Sequence, residues 1–152
     1  MRLAEAAGLM MNDLILDSPY PHVVVTPYPH RSLKTKASER VIPLDGASLW
    51  AAKRLSESAH RDFCFPRYTD EQRCNSNSAS AAINKWVKFI AGKDAVIHGL
   101  RHSFRDRLRA TEAPAELVDQ LGGWSSRRVG QSYGSGYALE NLSSWMDKIV
   151  IR

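Results

Sequence analysis

The apolar positions of this chain change their period near Pro43, and the change separates a strand-forming part from a helix-forming part. Upstream, residues 14–16, 22–26 and 40–44 are short runs rich in Val, Ile and Leu, punctuated by Pro and Asp, as strands separated by turns are. They predict a small antiparallel sheet of three strands, with residues 28–39 as a basic connection between the last two. Downstream the spacing is helical: Leu49, Ala52 and Leu55 recur within 47–59, and Ala81, Ile83, Trp86, Val87 and Ile90 form a broad apolar face within 78–90. A further helix is expected over 100–110. Pro114 suits the first turn of another that ends before Gly122-Gly123. Leu139, Leu142, Trp145, Met146 and Ile149 predict an amphipathic last helix that docks its apolar face on its own domain or on a neighbouring protomer. Residues 2–9 are good helix formers, in a run too short to persist without a packing partner. The expected fold class is therefore α+β, mainly α with a small antiparallel three-stranded β-sheet.

Composition narrows the function classes. With 152 residues, 43% hydrophobic and 24% charged, the chain is expected to form one soluble globular domain over 1–152. Its net charge of +5 and pI near 9.4 favour a polyanionic partner. No apolar run approaches the ~20 residues that span a bilayer, and the N-terminus carries Glu5 and no secretory pattern, so no membrane and a cytoplasmic location are expected. Cys64 and Cys74 lack the spacing of a zinc or redox pair; His60 would supply a third ligand, but no fourth is evident, and two reduced cysteines with no metal are expected. Trp50, Trp86 and Trp145 are expected in the core or at an interface.

Two segments carry candidate chemistry. In the run from His98 to Arg105, His98 and Arg101 stand three residues apart at the start of a helix, so both can address one site. In the run from Leu121 to Gly134, Trp124 precedes Tyr133 by nine residues, and a glycine follows the tyrosine. Taken alone, the first match is that of any basic helix with an incidental histidine, and the second that of a core aromatic pair. Together they resemble the second active-site box of the tyrosine recombinases, the phage-integrase-like enzymes: His-x-x-Arg, then His or Trp, then the tyrosine nine positions later. The likeness extends in the family's order. Arg2-Leu-Ala-Glu5-Ala-Ala-Gly8-Leu9 resembles the first box, and the run from Leu33 to Leu44 resembles the hairpin that carries the catalytic lysine.

The resemblance implies site-specific recombination of double-stranded DNA, for integration or excision, through a covalent 3′-phosphotyrosyl intermediate, without metal or nucleotide cofactor. Tyr133 is then the nucleophile, His98 the base and Lys34 the acid, with Lys36 as the alternative. Arg2 and Arg101 would clamp the phosphate, whose charge grows in the transition state. Trp124 would donate to a phosphate oxygen from its indole N–H and pack, since it cannot exchange a proton near neutral pH. Glu5 would orient a neighbouring basic side chain. Arg31, Lys36, Arg105, Arg127 and Arg128 are candidate DNA contacts. Enzymes of this kind act as homo-tetramers on two duplexes. The chain starts at the first box, which suggests truncation: the helices that precede that box in the family and the separate DNA-clasping domain are missing from it. A type IB topoisomerase, similar in fold and constellation, and a non-catalytic DNA-binding fragment are the alternatives; relaxation of supercoils by a monomer without site specificity would favour the first, and a covalent-capture assay separates the cleaving enzymes from the second.

Overall fold

The computed structural model of the protein describes residues 1–57, 62–124 and 136–150. Among the described residues, six α-helices and three strands follow in order: α1 (Leu3–Ala7), β1 (Leu14–Ile15), β2 (His22–Val25), β3 (Arg40–Pro43), α2 (Gly46–Glu57), α3 (Ser76–Ala91), α4 (Gly99–Ala110), α5 (Ala115–Gly122) and α6 (Leu139–Asp147). The strands form one antiparallel sheet in the order β1-β2-β3, with Val23 opposite both Leu14 and Ile42. Architecture and element order are those expected from the apolar period. Boundaries differ by one or two residues.

Val23 and Val25 alternate inward from β2 and, with Ile42 and Leu44, bury one face of the sheet against Leu9, Ala52 and Cys64. A second cluster joins Leu108 of α4, Leu117, Val118 and Leu121 of α5, and Leu142 of α6. The last helix thus docks its apolar face on its own domain, where α6 also lies against β3. β3 also touches α5, so this one strand links the sheet to the helices that carry the second box.

The structure corrects the expectation for Arg31 and narrows two others. Trp50 and Trp86 are 66% and 61% exposed, so of the two expected places, core or interface, the core is ruled out for both. On α3 only Ala79 is fully buried, and Trp86, Phe89 and Ile90 stay on the surface although their spacing is that of an apolar face. Arg31, expected at DNA, is 1% exposed. Its guanidinium donates to the carbonyls of Glu5 (3.2 Å), Gly8 (2.9 Å) and Thr26, and pairs with Asp13 at 3.3 Å. Gly8 leaves it room, since a Cβ there would stand 2.7 Å from Arg31 Cδ. Arg31 is a structural tie between α1 and the β2–β3 connection, and its burial removes it from any DNA surface.

Removing one member of a buried ion pair strands the other charge, at a cost of ~3–5 kcal/mol. Arg31→Met should therefore lower the unfolding free energy by about that much in urea titration. The salt dependence of DNA binding by the folded variant should not change.

Candidate active site: an arginine cluster at the end of helix α5

The site begins with the way α5 stops. Gly123 adopts the left-handed conformation (φ 62°), its amide donates to Gln120 O at 3.3 Å, and the Trp124 amide reaches back to Asp119 O at 3.0 Å. The next three carbonyls are left for side chains, and an arginine takes each. Arg40 Nε donates to Leu121 O (3.0 Å), Arg101 Nη2 to Gly122 O (2.6 Å) and Arg2 Nη2 to Gly123 O (3.5 Å). These come from β3, α4 and the N-cap of α1, and they meet at a helix C-terminus, where carbonyl dipoles favour positive charge.

Glu5 sits beneath the cluster, 3% exposed. It accepts from Arg2 Nη1 (2.7 Å), the Arg2 amide (2.8 Å) and Arg40 Nη2 (3.0 Å). Burial works against its charge, but the hydrogen bonds from Arg2 and Arg40 outweigh it and hold the carboxyl below its usual range. Arg101 is pushed down to about 10, by burial first and then by the charge of Arg2, with Glu5 opposing. Four guanidiniums (Arg2, Arg40, Arg101 and Arg105) thus face two carboxylates, Glu5 and Asp119, and an anion entering here would relieve both the burial cost and the repulsion.

Trp124 closes one side. Its ring lies 4.3 Å from the Arg101 guanidinium carbon and 4.9 Å from that of Arg105, which also pairs with Asp119 at 3.7 Å. The indole rests on Gly122: a Cβ there would come within 1.8 Å of its ring carbons. Gly122→Ala must push the indole off Arg101, and such overpacking costs ~1–3 kcal/mol. A lowered midpoint in chemical denaturation is the expected outcome; an unchanged midpoint would mean that the indole relaxes freely.

His98 is the N-cap of α4, and its carbonyl accepts the Arg101 amide at 3.0 Å, so the two residues are separated by one helical turn. Asn84 of α3 steadies the approach by accepting the Ile97 amide at 2.8 Å. The His98 ring is exposed and stands edge-on to His102, 5.2 Å between centroids. Lys34 and Lys36 are exposed in the β2–β3 connection, and among the described residues neither ammonium has a hydrogen-bond or ion-pair partner. That connection is nevertheless tied to the cluster. The buried Ser38 Oγ accepts from Arg2 Nη1 at 2.9 Å and lies 3.1 Å from Thr35 Oγ1. The structure brings together Arg2, Glu5, Arg101, Arg105 and Trp124, while Arg127, Arg128 and Tyr133 lie outside the described residues.

Sequence reasoning missed Ser38 and Arg40. Both lie in the segment that resembles the lysine hairpin, and a buried charge inside an apolar strand was the available signal. No group of three or more potential metal ligands occurs among the described residues, and Cys64 is buried, its thiol pushed up to about 12 by burial first and by Asp13 second.

The phage integrase family profile matches residues 1–138. The chain belongs to the phage integrase family. That family consists of DNA breaking-and-rejoining enzymes, so a role in site-specific recombination and the binding of DNA follow from membership. No curated protein and no solved structure matches the chain. No helix among the described residues is long and apolar enough to cross a membrane.

Proposed function

We propose that this integrase-family chain is a tyrosine recombinase catalytic domain that cuts and rejoins duplex DNA through a covalent 3′-phosphotyrosyl intermediate on Tyr133. The observation that carries the reading is the meeting of Arg2 and Arg101 at adjacent carbonyls of one helix end, beside Trp124. The arginine of the first box and that of the second lie far apart in the chain. Only a shared ligand between them gives a functional reason to hold two like charges together. Their unspent N–H groups suit the non-bridging oxygens of a phosphodiester, whose charge grows as a nucleophile attacks.

In the proposed reaction the Tyr133 hydroxyl attacks phosphorus, its proton passing to His98. The bond from phosphorus to the 5′-oxygen breaks, and Lys34 gives that oxygen a proton. The products are a 3′-phosphotyrosyl linkage and a free 5′-hydroxyl, and attack by a 5′-hydroxyl from a second duplex reverses the step. Arg105, Arg127, Arg128 and Lys36 would contact the flanking phosphates, and exchange between two duplexes requires a homo-tetramer. Covalent capture tests the reading. A duplex nicked beside the scissile phosphate should leave a denaturation-resistant adduct joined through its 3′-phosphate; absence of that adduct on any cognate sequence would end the proposal.

A further inference from the structure

We propose that Arg40 is a positioning residue: it sets the separation and aim of Arg2 and Arg101 without itself touching the DNA. The inference rests on the strand-cleavage reading above. Arg40 has a side chain only 3% exposed, so a phosphate cannot reach it, yet it joins every part of the clamp. Nη2 holds Glu5 Oε2 at 3.0 Å, and the other oxygen of that carboxylate grips Arg2 at 2.7 Å. Nε holds Leu121 O at 3.0 Å, one residue before the carbonyl that takes Arg101. Nη1 donates to the carbonyl of Ser38, whose hydroxyl is bonded to Arg2. Gly123 makes this possible, because a Cβ there would fall 2.6 Å from Arg40 Nη1.

Only a planar, forked donor can hold a carboxylate and two carbonyls at once. Without it, Glu5 would keep its bond to Arg2 but lose its tie to the end of α5, and the two arginines would no longer be held in one frame. Small misplacements of charge-stabilising groups are costly to catalysis, on the order of 100-fold per ångström.

The test uses the intact protein and two nicked duplexes, one with an ordinary scissile phosphate and one with a neutral methylphosphonate there. A neutral phosphate has less charge for the clamp to stabilise, so a defect that acts through Arg2 and Arg101 should shrink on it. Arg40→Met is expected to slow adduct formation ~100-fold on ordinary DNA and under ~10-fold on methylphosphonate, relative to the unsubstituted protein on each. Arg40→Lys, which keeps the charge but loses the fork, should fall between Met and Arg on ordinary DNA and show the same partial relief. It also serves as the informative variant if Arg40→Met does not fold. Equal slowing on both substrates, or no slowing, would overturn the positioning role while leaving the cleavage reading intact. An unsubstituted protein that forms no adduct on either would overturn both.

Discussion

Tyr133→Phe should abolish the covalent DNA adduct, a fall of more than ~1,000-fold, while DNA affinity stays within about two-fold. The substitution removes one hydroxyl and leaves the proposed phosphate clamp of Arg2, Arg101 and Trp124 untouched, so docking and chemistry should separate. A tyrosine hydroxyl of pKa ~10 is a poor nucleophile at neutral pH, and it needs both a base and a positive field. In the proposed reaction the arginine cluster at the end of α5 would supply the field, and His98, one turn before Arg101, would be the base. Gel shifts would report affinity, and denaturing electrophoresis the adduct. Should the Phe variant still form it, Tyr137 becomes the candidate. The fold argues against Tyr137: its amide donates to Gln120 Oε1 at 2.8 Å, its carbonyl accepts from Gln120 Nε2 at 3.1 Å, and its ring packs against the α4–α6 core.

The sheet and helices were legible because period two and period 3.6 are local properties, and β2 and α6 bury the residues that those periods select. Arg2, Arg101 and Trp124 could be picked out by residue type and spacing. The anchor shared by the two arginines could not, because it consists of backbone carbonyls, those of Gly122 and Gly123, left free by a glycine turn. Arg31 was misread for a related reason. A cation in a basic connection between strands looks solvated, and its acceptors, the carbonyls of Glu5, Gly8 and Thr26, have no side-chain signature. The apolar face of α3 is only partly covered: Trp86 and Ile90 have the helical spacing, but α1, which packs on α3, is five residues long, and both stay exposed. Periodicity states which residues share a face and does not say how much of that face a neighbour covers.

Lys34→Ala should slow cleavage of ordinary DNA ~1,000-fold, yet cleave a strand with sulfur in place of the 5′-bridging oxygen nearly as fast as the unsubstituted protein. An alkoxide leaves phosphorus only with a proton, whereas a thiolate departs unprotonated, so sulfur removes the need for an acid and for nothing else. Lys36→Ala should instead show a salt-sensitive loss of binding, the signature of a lost phosphate contact, with no sulfur rescue. Position alone does not choose between them. Lys34 and Lys36 flank Thr35, whose hydroxyl lies 3.1 Å from Ser38 Oγ, and that hydroxyl accepts from Arg2 at 2.9 Å, so both exposed lysines hang from one anchor at the clamp. The run from Lys34 through Thr35 and Ser38 to Arg40 resembles the family hairpin and favours Lys34, while Lys36 opens the 3-10 turn Lys36–Ser38 beside the same anchor. Single-turnover rates on the oxygen and sulfur substrates decide the matter, since only the general acid can lose its importance when the leaving atom changes. Rescue of Lys36→Ala and not of Lys34→Ala would exchange the two roles.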